Sequence, residues 1–330
     1  MAGANGADSA ESGGRLPDRG AVIAAARHAG GVIELAALFA VTGAASNAVG
    51  TAFQRKAAST VARGGGLRLM LELAHRPAWL IGVAGVVCAA LFQALALVNG
   101  PMALVQPLFV LELPFALLIG SRLMHIRLPG AGWWAITGVV AGLALVLGAA
   151  TPSGAENQAP MVRWFPVLAG CLGAMVAAVV LARPGHPPLF RAAVLGAASA
   201  VGNALTAALL KSATGTFSAH GLRAFLTSWQ TYGFALTGVS AVLLLENALQ
   251  AGWLAASQPA LTIGDATVSL ILGVMLFQEE IRTGWWLLPE AIGVVLVLWG
   301  VVRLSRVVAG LHGAADRTGG SLSPTPPVAS

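Results

Sequence analysis

Nine stretches of the chain, at about 32–52, 78–98, 102–121, 131–150, 164–182, 189–211, 229–250, 252–277 and 284–303, are apolar over the roughly 20 residues a helix needs to cross a bilayer. Hydrocarbon offers no partner to a free N–H or C=O, so segments of this kind fold as helices. With 57% hydrophobic and 10% charged residues, the chain is poor in charge compared with soluble domains, where about a quarter of residues are charged. The spacing predicts an all-α polytopic membrane protein of about nine transmembrane helices. The tryptophans agree. Trp79, Trp133, Trp134, Trp164, Trp229, Trp253, Trp285 and Trp286 lie at or near the starts of spans, and Trp299 near the end of the last, as interfacial residues do.

Residues 1–30 are rich in Gly, Ala, Ser and Asp, and residues 304–330 end in SLSPTPPVAS, so both read as disordered tails. The head lacks the joined basic and apolar regions of a cleavable signal, and the first apolar run is expected to stay as a helix. The net charge of +6 does not point to nucleic acid, because the basic residues sit in short loops between apolar runs. On alternate sides of nine spans, seven Lys and Arg fall on the side of the amino terminus and twelve on the other. The basic side is expected to be cytoplasmic, with the amino terminus outside and the carboxyl terminus inside the cell membrane. GLRLMLELAHRP, within 53–77, carries Arg68, Glu72 and Arg76 and reads as an amphipathic surface helix rather than a tenth span.

An internal repeat constrains the architecture further. VTGAASNAVGTAFQRKAAS (41–59) resembles VLGAASAVGNALTAALLKSA (194–213); NGPMALVQPLFV (99–110) answers AGWLAASQPALT (251–262); and GWWAITGVVAGLALVLG (132–148) answers GWWLLPEAIGVVLVLWG (284–300). Spans one to four, in 31–150, thus return as spans six to nine, in 189–303, with the fifth span in the linker 151–188. An odd displacement of five spans turns the copies upside down relative to each other. Inverted repeats of this kind build secondary transporters whose site lies near the midplane between the copies.

These residues also resemble a known family. Two copies of an apolar run ending in a Gly- or acid-bearing turn, followed by GWW and a Gly-spaced helix, look like the drug/metabolite transporter (EamA-like) superfamily, over about 31–303. ALVQPLFVLELPFALLIGSRL and LTIGDATVSLILGVMLFQEEI stand where that family has its Pro-containing helix and terminal turn. Nine spans and the basic FQRKA sequence look more like a NIPA-like magnesium transporter branch and actinobacterial-type permeases. The family's turn glutamate is matched by Glu280 in the second copy but by Arg122 in the first, so site residues do not transfer one to one between copies.

Glu34, Glu112, Glu246, Asp265 and Glu290 lie within spans, whereas the cations there, Lys211, Arg191 and Arg303, lie at or near a span's end. Carboxylates inside a bilayer are costly and usually face a cavity, carry protons or meet a cation. An acid excess favours a cationic substrate or a proton as coupling ion. Glu112, roughly ten residues into its span, and Asp265, roughly thirteen, fall near the midplane at about 1.5 Å per residue. The run ENALQ, with Glu246 and Asn247, answers FQALALVN, with Gln93. The expected pathway is therefore Glu112, Asp265, Glu246, Asn247, Gln93, Gln106 and Gln258. The acids do not align: Glu112 follows its glutamine by six residues and Asp265 by seven.

Each residue has a plainer role open to it. A midplane carboxylate can be a protonated packing group, Gln106 and Gln258 can be interhelical glue, and Gly138 and Gly142 form a contact face for packing or a homodimer. Pro107, Pro114 and Pro259 can bend helices with no further role. All six histidines lie outside the spans and no ligand-spaced His/Cys set occurs, so no zinc or iron site and no cofactor is expected. Neither GxxxxGK[ST] nor a Gly-x-Ser-x-Gly elbow is present, and no enzyme activity is expected. The expected function is a secondary permease for a small, cationic solute, proton-coupled. A magnesium transporter is the alternative, since hydrated magnesium needs only one or two carboxylates, and a membrane scaffold without transport is the third reading.

Overall fold

A computed structural model describes residues 19–59, 75–123, 128–152, 156–183, 185–251, 254–280, 282 and 284–320, without the side chains of 19–29, 55, 58–59, 249–251, 254–259 and 308–320. The helices are α1 (Arg19–Ser59), α2 (Pro77–Asn99), α3 (Met102–Phe109), α4 (Glu112–Leu123), α5 (Gly130–Ala150), α6 (Met161–Leu181), α7 (Pro188–Thr227), α8 (Trp229–Ala251), α9 (Leu254–Phe277) and α10 (Leu287–Gly320). Among the described residues, eight helical segments are long and apolar enough to cross a membrane. The protein is thus an all-α polytopic membrane protein. Helix α8, with 23 residues, runs where the seventh span is expected and carries the polar ENALQ run near its carboxyl end.

Several helix bounds differ from those expected. Helix α1 starts at Arg19 and α10 runs to Gly320, so helix reaches into both segments whose composition reads as disorder. Alanine-rich RGAVIAAARHAGG explains the first extension, since alanine is the strongest helix former. The stretch 60–74, where the amphipathic surface helix is expected, lies outside the described residues. Helix α7 continues 16 residues beyond Lys211, bending only at Gly221, whose φ of 78° no L side chain adopts readily. Lys211 is therefore well inside a helix rather than at the end of one.

The third span is broken in two, for a legible reason. Pro114 has no N–H to give to the carbonyl of Val110, and its ring crowds that carbonyl. Leu113 N bonds Val110 O instead, at 3.1 Å, and Leu111 N bonds Leu108 O at 3.1 Å. The chain passes through a tight turn at Val110–Leu111 and restarts as α4 at Glu112. Helix α9, expected as its counterpart, is continuous from Leu254 to Phe277 across Pro259.

Helix α1 packs along α2, α7 along α8 and α9, and α5 along α10. Glycines let these backbones meet. A Cβ on Gly50 would stand 2.9 Å from Gly82 O in the α1–α2 seam, and one on Gly142 would stand 2.7 Å from Gly293 O in the α5–α10 seam. The Gly138–Gly142 face is thus used inside the chain, where Gly138 lies under the Trp299 ring. Close packing of small residues supplies contact where lipid removes the hydrophobic drive between helices. One apolar cluster, including Met102, Val105, Leu205, Leu276 and Phe277, joins α3, α7 and α9 at the centre.

Candidate functional site

Helix α3 begins with a difficulty that its own sequence cannot resolve. The first N–H groups of any helix lack intrahelical acceptors, and a capping side chain normally takes them. The residue before α3 is Pro101, which offers no side-chain oxygen. The acceptor comes from far along the chain. Glu279 Oε1 accepts from the Met102 amide at 2.6 Å and Oε2 from the Ala103 amide at 2.9 Å. The same carboxylate meets Lys211, whose Nζ donates to Glu279 Oε1 at 2.9 Å and to Gly100 O at 3.2 Å. The side chains of Lys211 and Glu279 are both 0% exposed, and the ammonium stands 4.7 Å from the centroid of the Phe277 ring. The helix terminus, with its partial positive charge, and the ammonium both attract the carboxylate.

Two local features put Glu279 there. Helix α9 ends at Phe277, and Gln278 takes a left-handed φ of 53° that turns the chain back over the helix end. Gly273 then leaves room for the carboxylate, because a Cβ at that position would collide with Glu279 Oε2. The Glu279 amide bonds Gly273 O at 3.2 Å.

A polar strap, Glu156–Pro160, crosses the same end of the bundle. Glu156 N bonds Phe277 O at 3.0 Å, and its carboxylate pairs with Arg163 at 2.9 Å. Arg163 also donates to Leu276 O at 3.1 Å. Asn157 Nδ2 reaches Val98 O at 3.4 Å, and Gln158 Nε2 donates to Ser212 O at 2.9 Å and Thr216 Oγ1 at 2.8 Å. Helices α2, α7 and α9 are thereby tied together. Beside the strap lies a cavity of about 570 Å³, whose lining includes Ile33, Leu104, Leu147, Thr151, Glu280 and Arg282.

Below this end the polar groups are of another kind. Among the described residues, Gln106 Nε2, Ser269 Oγ and Asp265 Oδ1 are buried and make no hydrogen bond of good geometry, although Asp265 and Ser269 interact with each other. Gln106 is on α3; Asp265 and Ser269 are one turn apart on α9, and Thr262, also buried, continues their face. Helices α3 and α9 pack together. Counted from Met102 and Phe277 at about 1.5 Å per residue, Gln106, Ser269 and Asp265 lie roughly 6, 12 and 18 Å from the strap end. The three atoms descend from Glu279 toward the middle of a hydrocarbon core about 30 Å thick. Buried polar atoms are rarely left without partners, and each such exception calls for a reason.

The other expected residues are spread more widely. Glu112 is half-buried in the first turn of α4, directly after the break. Gln93 is half-buried on α2. Glu246 and Asn247 face outward from α8, where Asn247 Nδ2 bonds its own Leu243 O at 2.7 Å. The side chain of Gln258 lies outside the described residues. Glu34 is exposed, and Glu290 is half-buried with Oε2 unpartnered. Glu280, expected from the resemblance to stand at the turn, is exposed at the cavity. Its neighbour Glu279 makes the buried contacts and is absent from the expected set. A signal for it existed. Lys211 is one of three cations within the expected spans, and a buried ammonium needs an acid from another element.

No family model matches the chain, and no solved structure matches it. It is similar to an uncharacterized protein of Corynebacterium glutamicum, with 29% identity over 282 residues, covering 82% of this chain and 95% of that protein.

Proposed function

We propose that the chain is a secondary transporter that moves a small, cationic solute across the cell membrane by alternating access, with protons as the coupling ion. The observation that carries this reading is the file of unpartnered polar atoms, Gln106 Nε2, Ser269 Oγ and Asp265 Oδ1, inside a membrane-spanning bundle. A protein whose only task is to sit in lipid gains nothing from such groups, since each costs about 1–3 kcal/mol in desolvation. A protein that must bind and release a polar solute needs them, because groups already satisfied by the chain have nothing to offer a passenger.

Charge favours a cation. Lys211 and Glu279 neutralise each other, which leaves Asp265 in the interior of the spans with no other buried lysine or arginine among the described residues. The packing pattern supports inverted repeats: α1 against α2 has its counterpart in α7 against α8, and α5 against α10 joins the last helix of each copy. On this reading the chain is of the drug/metabolite transporter type, and the two copies rock about the α3–α9 contact.

The test is flux in proteoliposomes with an imposed pH gradient, an entrapped pH dye and a panel of organic cations, set against magnesium with a magnesium-sensitive dye. Proton movement coupled to an organic cation, reduced at least tenfold by Asp265→Asn and by Glu112→Gln, is the expected result. Magnesium flux without proton dependence would select the divalent alternative. No flux of any kind above empty liposomes would remove the transport reading.

A further inference from the structure

We infer that Lys211 and Glu279 form the latch of a gate that closes the strap end over the file Gln106, Ser269 and Asp265, and that they part when that end opens. This rests on the transport reading above and adds the closing device.

The pair joins three different elements. Lys211 belongs to α7, the amides of Met102 and Ala103 belong to the short α3, and Glu279 belongs to the irregular stretch between α9 and α10. Helix α3 has eight residues and is joined to α4 by a turn at Val110–Leu111 whose hydrogen bonds run to i−3 carbonyls, so the regular helix ladder is interrupted there and offers a place to bend. The stretch with Glu279 has space on its far side, because Glu280 and Arg282 line the cavity. The strap over the pair is held by hydrogen bonds of Glu156, Asn157, Gln158 and Arg163 rather than by an apolar plug.

Charge is a poor adhesive and a good latch. A buried ion pair is about as stabilising as a well-packed apolar pair of the same volume, since desolvation offsets the attraction. Its distinction lies in the other state. An apolar contact that opens exposes greasy faces to water, whereas a carboxylate, an ammonium and two amides that open are hydrated. Partial opening is the unfavourable condition, because it strands charge in a dry interior. The contact therefore favours closed and dry or open and wet, as an alternating gate requires. Every member is satisfied in the closed arrangement, and Gln106, the first unpartnered group, stands one turn of α3 below Met102.

The experiment uses the full chain in nanodiscs with Cys88 and Cys171 replaced by serine and one reporter, Ala208→Cys. Ala208 is fully buried, lies three residues before Lys211 on α7 and belongs to the cluster that holds Met102 and Val105. The rate of labelling by a charged, membrane-impermeant thiol reagent is read with no substrate and no gradient. With the pair intact, labelling is slow. Lys211→Met or Glu279→Gln raises the rate at least tenfold, Glu279→Asp gives an intermediate rate, and the double variant Lys211→Met/Glu279→Met returns to within twofold of the parent. The shortened aspartate keeps the charge and covers the case in which a single neutral variant fails to accumulate. Rates within twofold of the parent in Glu279→Asp and in the accumulating single variants would overturn the latch. Latch-dependent labelling in a protein that carries no solute would leave the gate standing and remove transport; flux with unchanged labelling would remove the gate alone.

Discussion

The strap end and the interior of the α3–α9 contact are built from the same kinds of residue and treat them in opposite ways. At the strap end a lysine, a glutamate, two backbone amides and a carbonyl bond one another, although Trp164 Nε1 beside the strap is left without a partner. Within the next turns Gln106, Ser269 and Asp265 keep polar atoms unpartnered. The difference separates groups that hold the protein's own shape from groups left for something else. Burial alone does not mark function here, since Lys211 and Ser269 are equally inaccessible. Whether the chain answers its own polar groups is the better mark.

Substitutions can break that comparison, and the largest effect belongs to the strap end. Removing one member of a buried pair leaves the other charge stranded, so Lys211→Met or Glu279→Gln is expected to lower stability by about 3–5 kcal/mol, while the double variant loses far less. Denaturation in mixed micelles measures this, and equal losses in the single and double variants would erase the distinction. Next comes Gln158→Ala, which removes two hydrogen bonds of the strap. A loss of about 1–2 kcal/mol is expected at roughly 0.5–1.5 kcal/mol for each bond.

The interior should behave in the opposite sense. Ser269→Ala replaces an unpartnered buried hydroxyl with a group of similar shape, and stability is expected to hold or rise by up to about 1 kcal/mol. Transport in the same variant should fall, a trade of function for stability that a purely structural serine would not give. Smallest of all, Glu246→Gln and Asn247→Ala, on the outward face of α8, are expected to change stability by less than about 0.5 kcal/mol and to leave flux unaltered. A flux loss there would return ENALQ to the pathway and weaken the case for the α3–α9 contact.

The fold was largely legible in the sequence because hydrocarbon permits so few solutions. Twenty apolar residues in a row can only be a helix, and the Pro114 break follows from one missing N–H. The site was legible only in part. Asp265 and Gln106 stand out as polar residues in apolar runs. Glu279 does not, because it falls in a turn beside Glu280, where a carboxylate usually meets water; only the fold brings it to Met102 and Lys211, across 177 and 68 positions of sequence. Lys211 looked like the basic end of a span because nothing in KSATGT marks that α7 continues to Thr227. ENALQ differs in the other direction. Its polarity suggested a cavity, yet the register of α8 turns Glu246 and Asn247 away from the bundle. Sequence shows that a residue is polar, whereas the packing of neighbouring helices decides which way it faces.

The central claim, that the unpartnered groups bind a transported solute, is met most directly by one comparison: pH-gradient-driven uptake of organic cations into proteoliposomes by the parent protein and by Asp265→Asn at equal incorporation. The account predicts gradient-dependent uptake in the parent and at least a tenfold loss in Asp265→Asn, with unfolding midpoints that differ by little. Equal uptake by both proteins would contradict it.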